Sequence, residues 1–477
     1  MSDGLNILTD LAIIVLLIAG FWQFRTPKGA LRGNLTAAVA LLCTLIVVLY
    51  RHSYFDLSII VSAFALGSLA GSVVALRATM IQIPAMIAFQ HGAGGVAAFI
   101  VSAVELYRYP ATVLSIGRIS GFLGVVIGAA TFSASMIASG KLANRIKQTP
   151  TILPLHDGLI LGTLLLIITL GTVSWNATGS PLIYYLVSLV FCSIVLGVVF
   201  SVRVGGADMP VLISFLNATA GLAAAFCGII IQNRLLIACG ATVAASGSIL
   251  TRAMCNAMNR SLVKVLIGIR PKTNGVDSVK AKRAQDEPEA LSEKVATAAA
   301  LPVKEDYFSR AVEAVRNARS VVIVPGYGMA LAQAQFDVAK LGQLLETMGK
   351  SVCYVVHPVA GRMPGHMNVL LAEAEVDYDH LREMESFNPQ FQSTDLALVV
   401  GACDVVNSAA IEIEGTPISG MPILMVHEAR NVIICNLDEK PGYSGVPNPL
   451  YKDPRVILLI GDAKESVNRL LRSLSNP

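Results

Sequence analysis

Charge is what this sequence is shortest of. Asp, Glu, Lys and Arg make up 14% of its 477 residues, where soluble domains carry about 25%. Such scarcity, beside 54% apolar residues, excludes a chain that is soluble throughout. Cysteine chemistry is also thin. The eight cysteines form no CxxC pair and no Cys/His cluster of zinc spacing, and most lie in apolar runs. Disulfides and structural metal are therefore not expected, and the thiols read as small buried hydrophobes in a reducing compartment. No basic stripe with interleaved aromatics is present, so the formal charge of +4 implies no nucleic-acid partner. A basic n-region is missing before the first apolar run, which reads as a membrane span rather than a cleaved signal.

What the sequence does have is divided. Long apolar runs fill the stretch before Met258, and charged residues crowd into the remainder of the chain. A hydrocarbon core about 30 Å thick needs roughly 20 apolar residues per helix. Nine runs qualify, near residues 7–24, 35–50, 57–76, 81–104, 116–138, 158–175, 182–202, 209–231 and 235–258. Basic residues collect after the first, fifth and ninth (Arg25, Lys28 and Arg32; Lys141, Arg145 and Lys147; Arg260, Lys264, Arg270 and Lys272). That bias places the C-terminal half in the cytoplasm and the N-terminus outside. The expected division is a transmembrane domain over 1–265, a charged, alanine-rich linker over 266–301, and a second domain over 302–477.

Polar residues inside the spans stand out because charge there is costly. His91 lies mid-span before Gly92, Gly94 and Gly95. It reads equally as a proton carrier or as a neutral ring bonded to a neighbouring helix. Asp208 opens the eighth span, where an N-cap is the plainer reading, and Asn217 follows two and a half turns later.

From Ser320 onward, short apolar strands alternate with helical patterns. Strands are expected at 320–325, 352–356, 396–400, 422–426, 432–435 and 456–460, and one helix from the first turn to about Met348. The pattern is that of an α/β Rossmann-like, doubly wound parallel sheet, whose ligands bind beyond the strand C-termini. Gly326-Tyr327-Gly328-Met329 follows the first strand and supplies two glycines of a dinucleotide fingerprint. Leu331 takes the third glycine's place, and no acid ends the second strand.

Four stretches carry a family resemblance: Gly-Gly-Ala-Asp-Met-Pro at 205–210, Ala-Met-Asn-Arg-Ser at 257–261, Pro-Gly-Tyr-Gly-Met-Ala at 325–330, and His-Pro-Val-Ala-Gly-Arg-Met-Pro-Gly-His-Met-Asn-Val-Leu-Leu-Ala-Glu-Ala at 357–374. The chain resembles the β subunit of proton-translocating NAD(P) transhydrogenase over essentially its whole length. The resemblance implies NADP(H) on this chain and NAD(H) on a partner α subunit, with hydride passing between them coupled to inward proton movement. It further implies an α2β2 heterotetramer in the bilayer of the bacterial inner (cytoplasmic) membrane, with the soluble domain cytoplasmic. His91, Asp208 and Asn217 match family positions in the proton path and its coupling. Asp404 matches the loop that senses protonation. Nucleotide-contacting positions match at Tyr327; at Val359, Ala360, Gly361, Arg362, Met363 and Pro364; and at Gly401, Ala402, Cys403, Asp404 and Val405. They continue at Gly420 and Met421; at Asn436, Leu437, Asp438, Glu439, Lys440, Pro441, Gly442 and Tyr443, a lid; and at Asp462 and Ala463.

This chain departs from that pattern in three places. Asn436-Leu437 replace a Lys-Arg pair that recognises the 2′-phosphate, leaving Lys440 or Arg430 to reach it. Cys403 replaces an Asn. Gln82, Ala85 and Ser120 stand where acids are often seen, so the proton route leans on His91. A reading from another class is a transporter or channel gated by a cytosolic nucleotide-sensing domain, without hydride chemistry.

Overall fold

The computed structural model describes residues 3–23, 27–51, 57–79, 81–108, 115–147, 151, 153–175, 177–205, 208–258, 261–267, 304–363, 365–414, 416 and 418–475. Most of the expected linker and Pro364 lie outside them. The chain divides into two compact units, Met1–Arg252 and Ala253–Pro477.

Among the described residues, the first unit holds nine helices long and apolar enough to cross a membrane. They are α1 (Asp3–Gln23), α2 (Pro27–Arg51), α3 (Leu57–Arg77), α4 (Ile83–Arg108), α5 (Ser115–Leu142), α6 (His156–Ser174), α7 (Ser180–Arg203), α8 (Met209–Ile230) and α9 (Arg234–Ala257). Lipid tails are as apolar as leucine, so helices associate through close backbone approach. The sequence supplies glycine where they meet. A Cβ on Gly95 of α4 would lie 2.6 Å from the Gly128 carbonyl of α5, and one on Gly240 of α9 would lie 2.7 Å from the Gly221 carbonyl of α8. α5 is the most enclosed helix, with α4, α7 and α8 packed on it. By contrast, no residue of α3 from Ser58 to Arg77 is buried.

Several charges within this unit are committed to partners, as hydrocarbon favours. Arg51 bonds to Asp10 at 2.7 Å and to the Asn6 carbonyl at 2.9 Å, joining α1 to α2. Arg203 pairs with Asp157 at 2.5 Å. Lys141, 1% exposed, donates to the carbonyls of Ser201, Val202 and Val204 at 3.1, 2.7 and 2.6 Å. It caps the C-terminal carbonyls that end α7. Replacing Lys141 with methionine keeps the stem and strands those carbonyls. The membrane unit should lose about 3 kcal/mol, the cost of leaving buried acceptors unpaired, seen as a lower unfolding midpoint in detergent; an unchanged midpoint would refute the cap.

The second unit opens with the last turn of α9 and a short helical segment at Leu262–Ile267, after which α10 (Lys304–Asn317) precedes β1 (Ser320–Pro325). Then come α11 (Tyr327–Leu331), α12 (Gln335–Thr347), β2 (Ser351–Val356), α13 (His366–Glu373), β3 (Leu381–Glu383), β4 (Leu396–Val400), β5 (Asn431–Asn436), β6 (Val456–Ile460) and α14 (Ala463–Ser475). The six strands form one sheet in the order β3-β2-β1-β4-β5-β6, parallel at every pair. Helices cover both faces of such a sheet, so its strands are apolar without alternation. Val321, Val322, Ile323 and Val324 are all buried, as is every residue of β4.

The structure differs from the sequence reading at three elements. Residues 422–426 form no strand. Pro422 lacks the N–H a ladder needs, and both neighbours of β4 and of β5 are already strands. Instead, Leu424 N–H bonds to the Val405 carbonyl at 2.9 Å. The helix expected to run on to Met348 is two, α11 and α12, parted at Gln333 with φ +51°. The first is held to the turn after β4 through Gly328 N–H and the Gly401 carbonyl, 2.7 Å apart, while the second packs on α14. Strand β3, only three residues long at the sheet edge, carries no periodicity to read.

Candidate nucleotide and proton sites

Strand order reverses direction between β1 and β4, and the crevice at such a switch point is where open α/β sheets bind ligands. Its floor is two turns pressed together. Gly326 N–H bonds to the Val400 carbonyl at 2.8 Å, and Gly401 N–H to the Cys435 carbonyl at 2.9 Å. A Cβ on Gly328 would stand 2.7 Å from Gly401 Cα, and one on Gly326 2.5 Å from Ala402 Cα. Glycine is thus required so that the two turns can touch, a different reason from the close approach of a pyrophosphate that the fingerprint suggests. Met329 is fully buried beneath.

Above the floor stands a cluster of rings. The Arg362 guanidinium lies 4.5 Å from the Tyr327 ring centroid, with Tyr443 at 6.0 Å and His366 at 6.2 Å from the same ring. Burial pushes the Tyr327 phenol well above its ordinary range, Arg362 opposing and Tyr443 adding to the effect. It is a neutral hydroxyl. His366 accepts the Arg362 N–H on Nδ1 at 3.1 Å, so Nε2 bears the proton, and that buried nitrogen has no partner. A buried, unpaired donor beside a cation and two aromatic rings fits an anionic, aromatic ligand such as a dinucleotide. Sequence reasoning missed His366, because nothing in the loop pattern separates it from a helix-starting residue.

The remaining predicted loops divide into those at the crevice and those that frame it. Val359 and Ala360 wrap His357, whose Nδ1 accepts Val359 N–H at 3.2 Å and whose Nε2 donates to the Pro422 carbonyl at 2.8 Å. Gly361 takes φ +104°, and Met363 is buried. Gly420 turns at φ +73°, and Met421 packs into a small apolar cluster with Ala409, Ile418 and Val446. Asp462 caps α14, accepting from Lys464 and Glu465 N–H at 2.9 and 3.1 Å, with Ala463 buried behind it. Arg430 does not reach the crevice. It precedes β5, at the opposite end of the strands, and pairs with Asp395 at 2.9 Å.

Burial lowers His357 to about 4, offset by its bond to Pro422, and lowers His366 to about 4 with help from Arg362. Unfolded, both titrate near 6.5. The unfolded chain therefore binds more protons between those values. The stability that the neutral rings contribute is full above pH 6.5 and drains away toward pH 4. Hydrogen exchange of β1 and β4 should accelerate on passing from pH 7 to pH 5, after correction for intrinsic exchange. His357→Gln should flatten that trend, and an equal trend in the variant would contradict the assignment.

The segment after β5, read as a lid from the family resemblance, is bonded back to the turn after β4. Asp404 accepts Ser444 N–H on Oδ2 at 3.0 Å and Ser444 Oγ–H on Oδ1 at 2.6 Å. Gly442 leaves room for that carboxylate, since a Cβ there would lie 2.8 Å from it. Burial raises the Asp404 carboxyl above the usual range even though the Ser444 bonds pull it down. Asn436 is turned inward, donating to the Ala402 carbonyl and the Tyr451 hydroxyl, each at 2.9 Å, and Tyr451 donates to Cys403 Sγ at 3.4 Å. Burial raises the Cys403 thiol, which keeps it protonated. Leu437 and Tyr443 are exposed on the lid, as are Glu439, Lys440 and Pro441.

In the membrane unit, His91 projects from α4 with its Nδ1 buried and unpartnered. The alternative of a ring bonded through that nitrogen to a neighbouring helix is not what the packing shows. Asp208 stands at the N-cap position of α8 with φ −80°, and its side chain makes no capping bond to that helix. Asn217 is half-buried further along α8. Although α4 and α8 pack together, no hydrogen bond among the described residues joins His91 to Asn217.

Fold and sites together define a multi-pass membrane protein with an attached Rossmann-like domain of the nucleotide-binding kind. Residues 7–473 match the family described as NAD(P) transhydrogenase beta subunit, and the chain belongs to that family. It is 37% identical to the NAD(P) transhydrogenase subunit beta of Rhodospirillum rubrum, over 100% of both chains, and a second sequence from a particular strain of that species gives the same figures. Membership as a beta subunit implies an alpha partner and a nicotinamide nucleotide.

Proposed function

We propose that this chain is the nucleotide- and proton-carrying half of a coupled transhydrogenase, active with its α subunit as an α2β2 assembly in the bacterial inner membrane. On this reading residues 1–265 conduct protons and 302–477, on the cytoplasmic side, hold a dinucleotide, which the family pattern assigns as NADP(H), with NAD(H) on the partner. When bound, the nicotinamide supplies the hydride chemistry. Arg362, Tyr327, Tyr443 and His366 would hold it, through a guanidinium, ring faces and a buried N–H. Proton movement coupled to that exchange is energetically sensible. One charge crossing roughly 150 mV is worth about 3.5 kcal/mol, enough to bias a balanced exchange a few hundredfold.

The observation that carries the coupling half is the unpartnered Nδ1 of His91 within a span. A buried ring nitrogen without a bond is costly, and the cost is explained if that nitrogen takes and releases a proton. Asp208 at the start of α8 and Asn217 within it are the companions, and Asp404 is the group through which protonation acts on the lid. The reading is tested in vesicles holding this chain with its cognate α subunit, following hydride exchange and a pH-sensitive dye together. Both signals are expected; exchange without acidification would remove the coupling, and no exchange would remove the enzyme.

Asp404 carries its own prediction. Protonation removes charge from the acceptor of both Ser444 bonds, so nucleotide release should quicken as pH falls through its raised pKa. Ser444→Ala should speed release about 10- to 100-fold, the equivalent of one hydrogen bond to a charged group. Asp404→Asn should release nucleotide at a rate that no longer changes with pH in that range. Stopped-flow release measurements that leave the pH response intact in this variant would assign it elsewhere.

A further inference from the structure

The segments that follow β4, β5 and β6 each bring a carboxylate to the crevice side, and each has a different fate, while Glu383 closes β3 at the sheet edge. Asp404, after β4, is buried and holds Ser444. Asp462, after β6, is spent on the first turn of α14. The acids after β5 are left over. Asp438 is part-exposed and accepts only Lys440 N–H on Oδ1, at 3.1 Å, with Lys440 Nζ 3.6 Å from its other oxygen. Glu439 beside it is exposed.

The nearby cations are placed otherwise. Arg362 is buried under Tyr327. Arg382, on the edge strand β3, bonds to the carbonyls of Asp379 and Leu381. Arg430 lies at the far end of the strands with Asp395. Lys464 stands beyond β6, in the first turn of α14. Asn436, the residue that leads into the lid, points away from solvent to Ala402 and Tyr451. From Asn436 to Tyr443, Lys440 is thus the lid's one cation, against two carboxylates.

A phosphate monoester carries roughly −1.5 to −2 charge and seeks guanidinium or ammonium donors. A free ribose diol needs the reverse, a carboxylate that accepts its hydroxyl protons. We propose that this crevice is built for a nicotinamide dinucleotide whose ribose carries a free 2′-hydroxyl, with Asp438 and Glu439 as the residues that set the preference. The proposal rests on the nucleotide-binding reading above and reverses the nucleotide that the family pattern assigns to this chain. The preference does not touch the hydride-bearing ring, because the 2′ position lies on the adenosine half, away from the nicotinamide.

The full-length chain in detergent, titrated separately with NADH and NADPH and followed by the fluorescence of the reduced nicotinamide, tests it. NADH is expected to bind more tightly. Asp438→Ser combined with Glu439→Lys should move the ratio of the two dissociation constants at least tenfold toward NADPH. Tighter NADPH binding by the unaltered chain overturns the proposal without recourse to any variant, and so does a ratio unmoved in a variant that still binds NADH. If neither nucleotide binds, the nucleotide-binding reading itself falls and takes this inference with it.

Discussion

Replacing His91 with leucine should abolish proton movement, by at least a hundredfold, while leaving nucleotide affinity within a factor of two. The ring sits on α4 at a tight crossing: a Cβ on Gly92 would meet the Met136 methyl of α5 at 2.6 Å, and Gly95 faces Gly128. Packing of this kind excludes water, and Nδ1 remains buried without a partner. Other charged groups in the unit do not substitute for it. Lys141 is engaged by three carbonyls, and Asp10 and Asp157 are paired with arginines. Glu105 and Arg108, the other acid and base within α4, lie about 21 and 25 Å further along the helix. Leucine fills similar space but binds no proton, so a structural loss is not expected. Dye acidification retained above a tenth of the original rate would show that the proton travels by another group.

The second large effect lies in the soluble unit. Gly401→Ala should destabilise it by about 3 kcal/mol or more. The backbone at Gly401 has φ +70°, which costs an L-residue roughly 1–2 kcal/mol. The new methyl would also stand 2.5 Å from Gly328 Cα, and overpacking of a closed contact adds about 1–3 kcal/mol. Gly349 offers the control. Its φ is +80°, but nothing lies within 4 Å of a Cβ there. Gly349→Ala should therefore show the conformational cost alone, about a third to a half of the Gly401 effect, in denaturant titrations monitored by circular dichroism. Equal losses at both positions would mean that the two turns do not bear on each other.

Much of this was legible in the residues themselves. The nine spans follow from runs of about 20 apolar residues, and β1, β4 and β6 end where their unbroken apolar runs end. The strand-then-glycine pattern located the crevice. The reason for the glycines was not legible, because the sequence cannot show that the space beside Gly328 is occupied by Gly401, 73 positions later. Residues 422–426 were apolar enough for a strand, but a sheet whose central strands already have two neighbours offers them no place.

The sequence by itself determined what is set by local pattern: which segments cross a membrane, which are buried strands, and which turns need glycine. Hydrophobic burial and backbone geometry act on such segments without regard to a particular partner. Only the tertiary structure decided which side chains are committed and which are free. Asp404 meets Ser444 across 40 residues, Asn436 meets Ala402 across 34, and Arg51 meets Asp10 across 41. Hydrogen bonds are directional and reach about 3 Å. Their pairing therefore depends on where the folded backbone brings distant residues, and it leaves His91 and Asp438 with capacity to spare.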